Sequence, residues 1–224
     1  MKKTLQKYFS HSAFTMLEFV FIVVLIGILA AVIIPNTKTN PTREAAIQVL
    51  AHIKYTQHLA MIDDKYGVNN ITNWHEGRWQ LLFGTSEYTD NLVAYSIFSD
   101  KPNYSGNPDL VEMAVNPMNP MQFLTGGFSG VIRTSDQRAM KEMNIGQKYG
   151  ITSVTQSNCG ALRIAFDYLG RPIKGNIKDD TTAYISSGNN SSLLHTPCDI
   201  TLHGSDENIT IRILPETGYT KIIN

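Results

Sequence analysis

The stretch Phe14–Pro35, FTMLEFVFIVVLIGILAAVIIP, limits what this chain can become more than any other. Of the 21 residues from Phe14 to Ile34, only Thr15, Glu18 and Gly27 are not apolar. As a helix the run is about 31 Å long at ~1.5 Å per residue, which matches the hydrocarbon core of a bilayer. It predicts a transmembrane helix with a short handle before it and a soluble body after it. A length of 224 residues at a formal net charge of zero suits one such helix and one globular domain. No Lys/Arg-rich block is present, so nucleic-acid binding has no electrostatic support. The charge is uneven, however: Lys2, Lys3 and Lys7 fall within the first 13 residues, with no acid among them. The positive-inside rule places that end in the cytoplasm and the body beyond Pro35 across the membrane.

An ordinary signal peptide carries its small-residue cleavage site after the apolar run. Here Ser12-Ala13 precede the run, and Ile33-Ile34-Pro35-Asn36 close it with no A-x-A site. The plain reading is an uncleaved signal anchor, carrying a periplasmic binding protein or enzyme. Ala13-Phe14-Thr15-Met16-Leu17-Glu18, however, resembles the processing site of type IV prepilins and pseudopilins. The resemblance implies cleavage by a prepilin peptidase between Ala13 and Phe14, followed by N-methylation of Phe14. Glu18 becomes the fifth mature residue, where that family keeps a glutamate, and Gly27 and Pro35 fall where its helices commonly carry Gly and Pro. Ala13 departs from the glycine usual before the cut. The implied partners are other pilins or pseudopilins, the prepilin peptidase and an inner-membrane assembly platform. The implied location is the inner membrane, with the leader cytoplasmic and the head periplasmic. Secretion, pilus and DNA-uptake machines share this N-terminal design.

Glu18 calls for an explanation on physical grounds too. An ionisable side chain at the centre of a membrane segment costs about 2.5–3.5 kcal/mol, and less near an end. Its partner is either an α-amine, on the same or a neighbouring subunit, or interfacial water reached by snorkelling one turn from the helix start. The resemblance implies the neighbouring subunit's amine, and with it a part in filament assembly.

Beyond Pro35, residues 36–70 read as a polar neck and a second, amphipathic helix. Asn40 and Pro41 suit an N-cap and first helical position, the three- and four-residue spacing runs to Tyr66, and Gly67 and Asn69-Asn70 stop it. Residues 71–224 read as a β-rich head. Arg78–Phe83 and Leu92–Phe98 are short aromatic, β-branched runs with a turn at Tyr88–Asn91. Residues 99–130 are rich in Pro and Gly and predict a long surface excursion, interrupted by a strand-like Leu110–Val115. A short helix is expected around Gln137–Met143. The last 65 residues predict an antiparallel meander with one buried face, through Ala161–Asp167, Cys198–His203, Ile209–Leu214 and Tyr219–Ile223. The expected fold is therefore α+β and pilin-like: a long N-terminal transmembrane helix, then an amphipathic helix packed on an antiparallel sheet. FDYLGRPI and ETGYTKI near the C-terminus also resemble the strand–turn and final strand of H-type minor pseudopilins.

Cys159 and Cys198, the only cysteines, predict a disulfide in an exported head. Two half-buried free thiols, or a zinc site completed by His195 and His203, are the alternatives. No G-x-S-x-G, P-loop, H-E-x-x-H or paired C-x-x-C occurs, so the sequence suggests no enzyme, no metal and no cofactor. Asp63-Asp64 read as solvated carboxylates on the second helix, and Asp179-Asp180 lie in a polar loop. His52 and His58 are six residues apart, on different helix faces.

Overall fold

The computed structural model describes residues 15–33, 40–66, 73–128, 132–180, 182–184 and 193–223. The chain divides into two compact units, one up to Asn40 and the other from Pro41 onward.

The first unit contains helix α1, Met16–Ile33. Among the described residues no helix is long and apolar enough to cross a membrane. The expected long N-terminal transmembrane helix is thereby corrected. The helix is described over 18 residues, about 27 Å at ~1.5 Å per residue, which falls short of a ~30 Å hydrocarbon core. Ala13, Phe14 and Pro35 lie outside the described residues.

The second unit opens with helix α2, Pro41–Ile62, whose buried positions Thr42, Ala45, Ala46, Val49, Ile53, Thr56 and Ala60 follow helical spacing. Proline at the first helical position wastes no hydrogen bond, because that N–H has no intrahelical acceptor. The helix stops one turn earlier than its pattern suggests. Asp63 and Asp64 therefore lie beyond its end, where the negative pole of the helix disfavours carboxylates within the last turn. Asp63 instead accepts hydrogen bonds from Lys65 Nζ and, at 2.9 Å, from Trp79 Nε1.

Two four-stranded antiparallel sheets flank α2 in place of the single meander that the sequence suggests. The first sheet has the order β2-β1-β4-β5: β1 is Trp79–Gly84, β2 Ala94–Ser99, β4 Arg163–Phe166 and β5 Pro172–Lys174. The second has the order β3-β6-β7-β8: β3 is Ser153–Ser157, β6 Cys198–His203, β7 Asn208–Ile213 and β8 Thr220–Ile223. The short helix α3, Ile145–Tyr149, precedes β3. Helix α2 packs against β1 and β4 of one sheet and β6, β7 and β8 of the other. One core results, with Val49 and Ile53 of α2, Leu81, Ile164 and Phe166 of the first sheet, and Ile200, Leu202 and Ile211 of the second all buried.

Strands β6 and β7 alternate as expected, with Cys198, Ile200 and Leu202 and then Ile209, Ile211 and Ile213 turned inward. Strands β2 and β4 do not, because all their residues are buried. The excursion after β2 folds back on the first sheet rather than trailing over the surface. Ile97 N–H donates to Leu124 O, and Ala114 N–H to Ile97 O, both at 2.9 Å. Leu110–Val115 forms only isolated bridges here, Phe98 with Met113 and Val115 with Phe123. Arg163, in the Ala161–Asp167 run predicted to bury only one face, is itself buried and donates to Gln80 Oε1, Asn176 Oδ1 and Gly106 O. The helix expected at Gln137–Met143 is a 3-10 turn at Lys141–Met143 followed by α3.

Candidate assembly surfaces and the groups that hold them

Helix α1 begins with a reciprocal pair of hydrogen bonds. Thr15 N–H donates to Glu18 Oε2 at 2.9 Å, and Glu18 N–H donates to Thr15 Oγ1 at 3.3 Å. The Thr15 hydroxyl also donates to Glu18 Oε2, at 3.0 Å. This is a capping box: each side chain satisfies an N–H that the first helical turn leaves without a partner. Its signature, Thr15-Met16-Leu17-Glu18, is legible in the sequence once the glutamate is read as a cap as well as a charge. Glu18 thus has local work within the chain, starting the helix.

The rest of α1 has no such local satisfaction. Every large apolar side chain from Met16 to Leu29 is exposed, from 39% at Ile22 to 81% at Met16 and Leu17. A helix that is apolar all round needs apolar surroundings on every side. Gly27 sits in the middle of this surface, and a Cβ built on it would meet nothing within 4 Å. Glycine inside a helix costs roughly 1 kcal/mol against alanine, and no contact described within the chain requires it.

In the head, the two C-terminal motifs meet at one place. Asp167, which follows β4, accepts hydrogen bonds from Leu169 N–H, Arg171 N–H, Arg171 Nε and the Tyr184 hydroxyl. Four donors on one buried carboxylate lock the Tyr168-Leu169-Gly170 turn. Gln57 of α2 donates from Nε2 to Gly170 O at 2.8 Å and to Thr217 O at 2.9 Å. A single amide therefore ties both turns to the helix. Gly218 has φ +63°, and a Cβ there would lie 2.6 Å from Gly170 O, so glycine is required by both conformation and space. The resemblance named the two motifs separately; Gln57 carried no sequence signal. Tyr168, Leu169, Tyr219, Met61 and Ile62 are exposed around this junction.

Cys159 and Cys198 are joined by a disulfide, with Cα atoms 4.8 Å apart. It ties the segment after β3 to the first residue of β6. His203 lies on the opposite side of β6 from Cys198 and pairs through Nε2 with Thr155 Oγ1 at 2.8 Å. No cluster of three or more His, Cys, Asp or Glu that could hold a metal ion occurs among the described residues.

Burial displaces several titratable groups, and two of them, His52 and Asp100, are moved into the range between pH 4 and 6. His52 on α2 has Nδ1 at 2.6 Å from the Tyr95 hydroxyl, and Tyr95 also accepts from Gln48 Nε2 at 2.8 Å. Desolvation pushes the His52 imidazole down to about 4, so it is neutral at pH 7. Asp100, after β2, accepts from Gly106 N–H at 2.7 Å and Ser105 N–H at 3.1 Å. Burial, reinforced by nearby Glu112, pushes it up to about 6 against those hydrogen bonds and the charge of Arg163. Glu112, also buried, holds the same loop by accepting from Asn103 N–H and Asp109 N–H.

No family model, curated protein or solved structure matches the chain.

Proposed function

We propose that the chain is a minor pseudopilin or pilin subunit of a type IV filament machine, of the kind used in type II secretion, type IV pili or DNA uptake. In this reading a prepilin peptidase cuts between Ala13 and Phe14 and methylates Phe14, and the subunit passes from an inner-membrane assembly platform into a filament, head on the periplasmic side. The observation that carries the reading is α1: an apolar helix, its large side chains exposed from Met16 to Leu29, that starts at a glutamate box directly after the prepilin-like cut site. Twelve such side chains need cover from water, since fully burying one contributes roughly 1.5–3 kcal/mol, and neighbouring helices supply that cover in a filament, where close packing sets the fit. Gly27 allows a neighbouring backbone to come close. The role is structural, with no chemistry of its own.

N-terminal mass spectrometry of the purified protein tests the processing step: a chain beginning at methylated Phe14 is expected, and one beginning at Met1 overturns the reading. Two substitutions separate the roles of Glu18. Gln at the third helical position still completes a capping box, whereas Ala does not. If the charge serves assembly, Glu18→Gln and Glu18→Ala both lose co-purification with partner pilins. If Glu18 only starts the helix, Glu18→Gln behaves as wild type.

A further inference from the structure

A four-stranded sheet has two edges, and each edge offers unpaired N–H and C=O groups to any passing strand. Proteins usually guard them with charge, proline or a covering segment. Three of the four edges here are guarded. The outer side of β2 is covered by the bridges Ser96–Thr125 and Phe98–Met113. Strand β5 begins with Pro172, ends with Lys174 and is bridged by Leu193. Strand β8 carries Lys221.

The fourth edge, β3, has none of these devices. Its sequence is Ser-Val-Thr-Gln-Ser, without charge or proline. Among the described residues it pairs only with β6.

Beside this bare edge lies a cavity of about 180 Å³, lined by Phe83, Val93, Val154 and Leu162, with Thr152 and Ser153 at its side and no charged residue in its lining. It is an open groove on the surface rather than an enclosed void, wide enough to admit a side chain from outside. Gly84, at the end of β1, adds to the opening: a Cβ there would meet nothing within 4 Å. Val154 both lines the cavity and belongs to the edge strand. A strand laid along β3 therefore has alternate side chains pointing over the cavity, in the pattern by which extended peptides add to sheets.

We infer that β3 and this cavity form a strand-addition site for an extended segment of another protein. The segment is uncharged and places an apolar side chain such as leucine, isoleucine or valine over Phe83, Val93 and Leu162. Neutral lining and a neutral edge exclude charged anchors, because nothing is present to pair with them. A second copy of this chain is a poorer occupant. Its other edges are guarded, and β3 pairing with itself about Thr155 sets Gln156, not an apolar residue, opposite Val154. The inference is independent of the filament reading.

The test uses the full chain and a fluorescent heptapeptide of alternating threonine and leucine. Saturable binding is expected, with new hydrogen-exchange protection confined to residues 153–157. Methylating alternate peptide nitrogens removes ladder donors but keeps the side chains, and is expected to weaken binding at least tenfold. Gly84→Leu fills the open space without a forced backbone and is expected to do the same; Leu162→Lys, which puts a charge at the groove, serves as a second variant. Absence of saturable binding, protection at β8 or β2 in place of β3, or indifference to N-methylation and to both variants overturns the site. Concentration-dependent dimerisation of the chain through β3 assigns the edge to a second copy and likewise overturns the proposal.

Discussion

His52 and Asp100 have opposite effects on stability over the same pH range, and removing one should unmask the other. His52 sits at about 4 when folded against an ordinary 6.5. Its folded value is depressed, so the unfolded chain binds more protons between those limits. Stability from this group is full above pH 6.5 and falls as the pH drops towards 4. At 1.36 kcal/mol per pH unit of displacement the full effect is about 3 kcal/mol. Asp100 sits at about 6 when folded against 3.8. Its folded value is raised, so stability from this group is full below pH 3.8 and is lost as the pH climbs through 6, again by about 3 kcal/mol. Near pH 5 the two slopes are each roughly 1.2 kcal/mol per pH unit and opposite in sign. The pair therefore adds almost no slope between pH 4.5 and 6. Asp100→Asn should give a curve that rises with pH by about 1.5–2 kcal/mol over that interval relative to wild type, and His52→Gln one that falls by a similar amount. Urea unfolding of the full, disulfide-intact chain, followed by the fluorescence of Trp74 and Trp79, gives both curves. Carboxylates remote from both sites, such as the half-buried Asp136, contribute equally to all three proteins and cancel in the difference. If Asp100→Asn and wild type have parallel pH profiles, the buried ionisation of Asp100 is refuted, whatever the absolute stability of the variant.

Two further outcomes follow from other parts of the head. Replacing Cys159 and Cys198 by serine opens a crosslink between residues 39 apart and should lower unfolding free energy by about 4 kcal/mol in the chain-entropy model, read as a fall in urea midpoint; an unchanged midpoint contradicts it. Gln57→Ala leaves Gly170 O and Thr217 O without their shared donor and should cost about 1–3 kcal/mol, with faster amide exchange in the Tyr168–Gly170 and Thr217–Tyr219 turns and unchanged exchange in β3; uniform loss of protection argues against a local clamp.

Helix α2 was legible because its apolar positions repeat with helical spacing and nothing in the core overrides them. Strands β6 and β7 were legible because one face is buried and the other wet, so the pattern of two survives. Strands β2 and β4 lack alternation because the excursion covers the face that the pattern assigns to water. Arg163 is the clearest case: a charge in a strand reads as solvent-facing, but oxygens of Gln80 on β1, Gly106 in the excursion and Asn176 just after β5 receive it in the interior. Strand β3 carries only one large apolar residue and gives almost no signal. Its place is set by pairing with β6, a contact far along the chain. The end of α2 was misplaced because Asp63 finds Trp79 rather than a further helical turn.

The glutamate in the apolar run shows how one residue carries two signals. Its charge, inside an otherwise apolar stretch, points outward to a partner. Its spacing from Thr15 points inward to the start of its own helix. The capping box makes the second reading a structural fact, and the two are compatible. A carboxylate held by one oxygen against Thr15 is fixed in direction at the N-terminal end of α1, with its other oxygen free of any bond to Thr15. Fixing the side chain in advance lowers the ordering cost of any later contact with a cation. On this view the threonine matters for assembly as much as the glutamate does. Thr15→Val removes the hydroxyl that receives Glu18 N–H and loosens the carboxylate without touching its charge, so under the proposed filament reading co-purification with partner pilins should fall less than for Glu18→Gln but measurably, and co-purification equal to wild type argues against this role of Thr15.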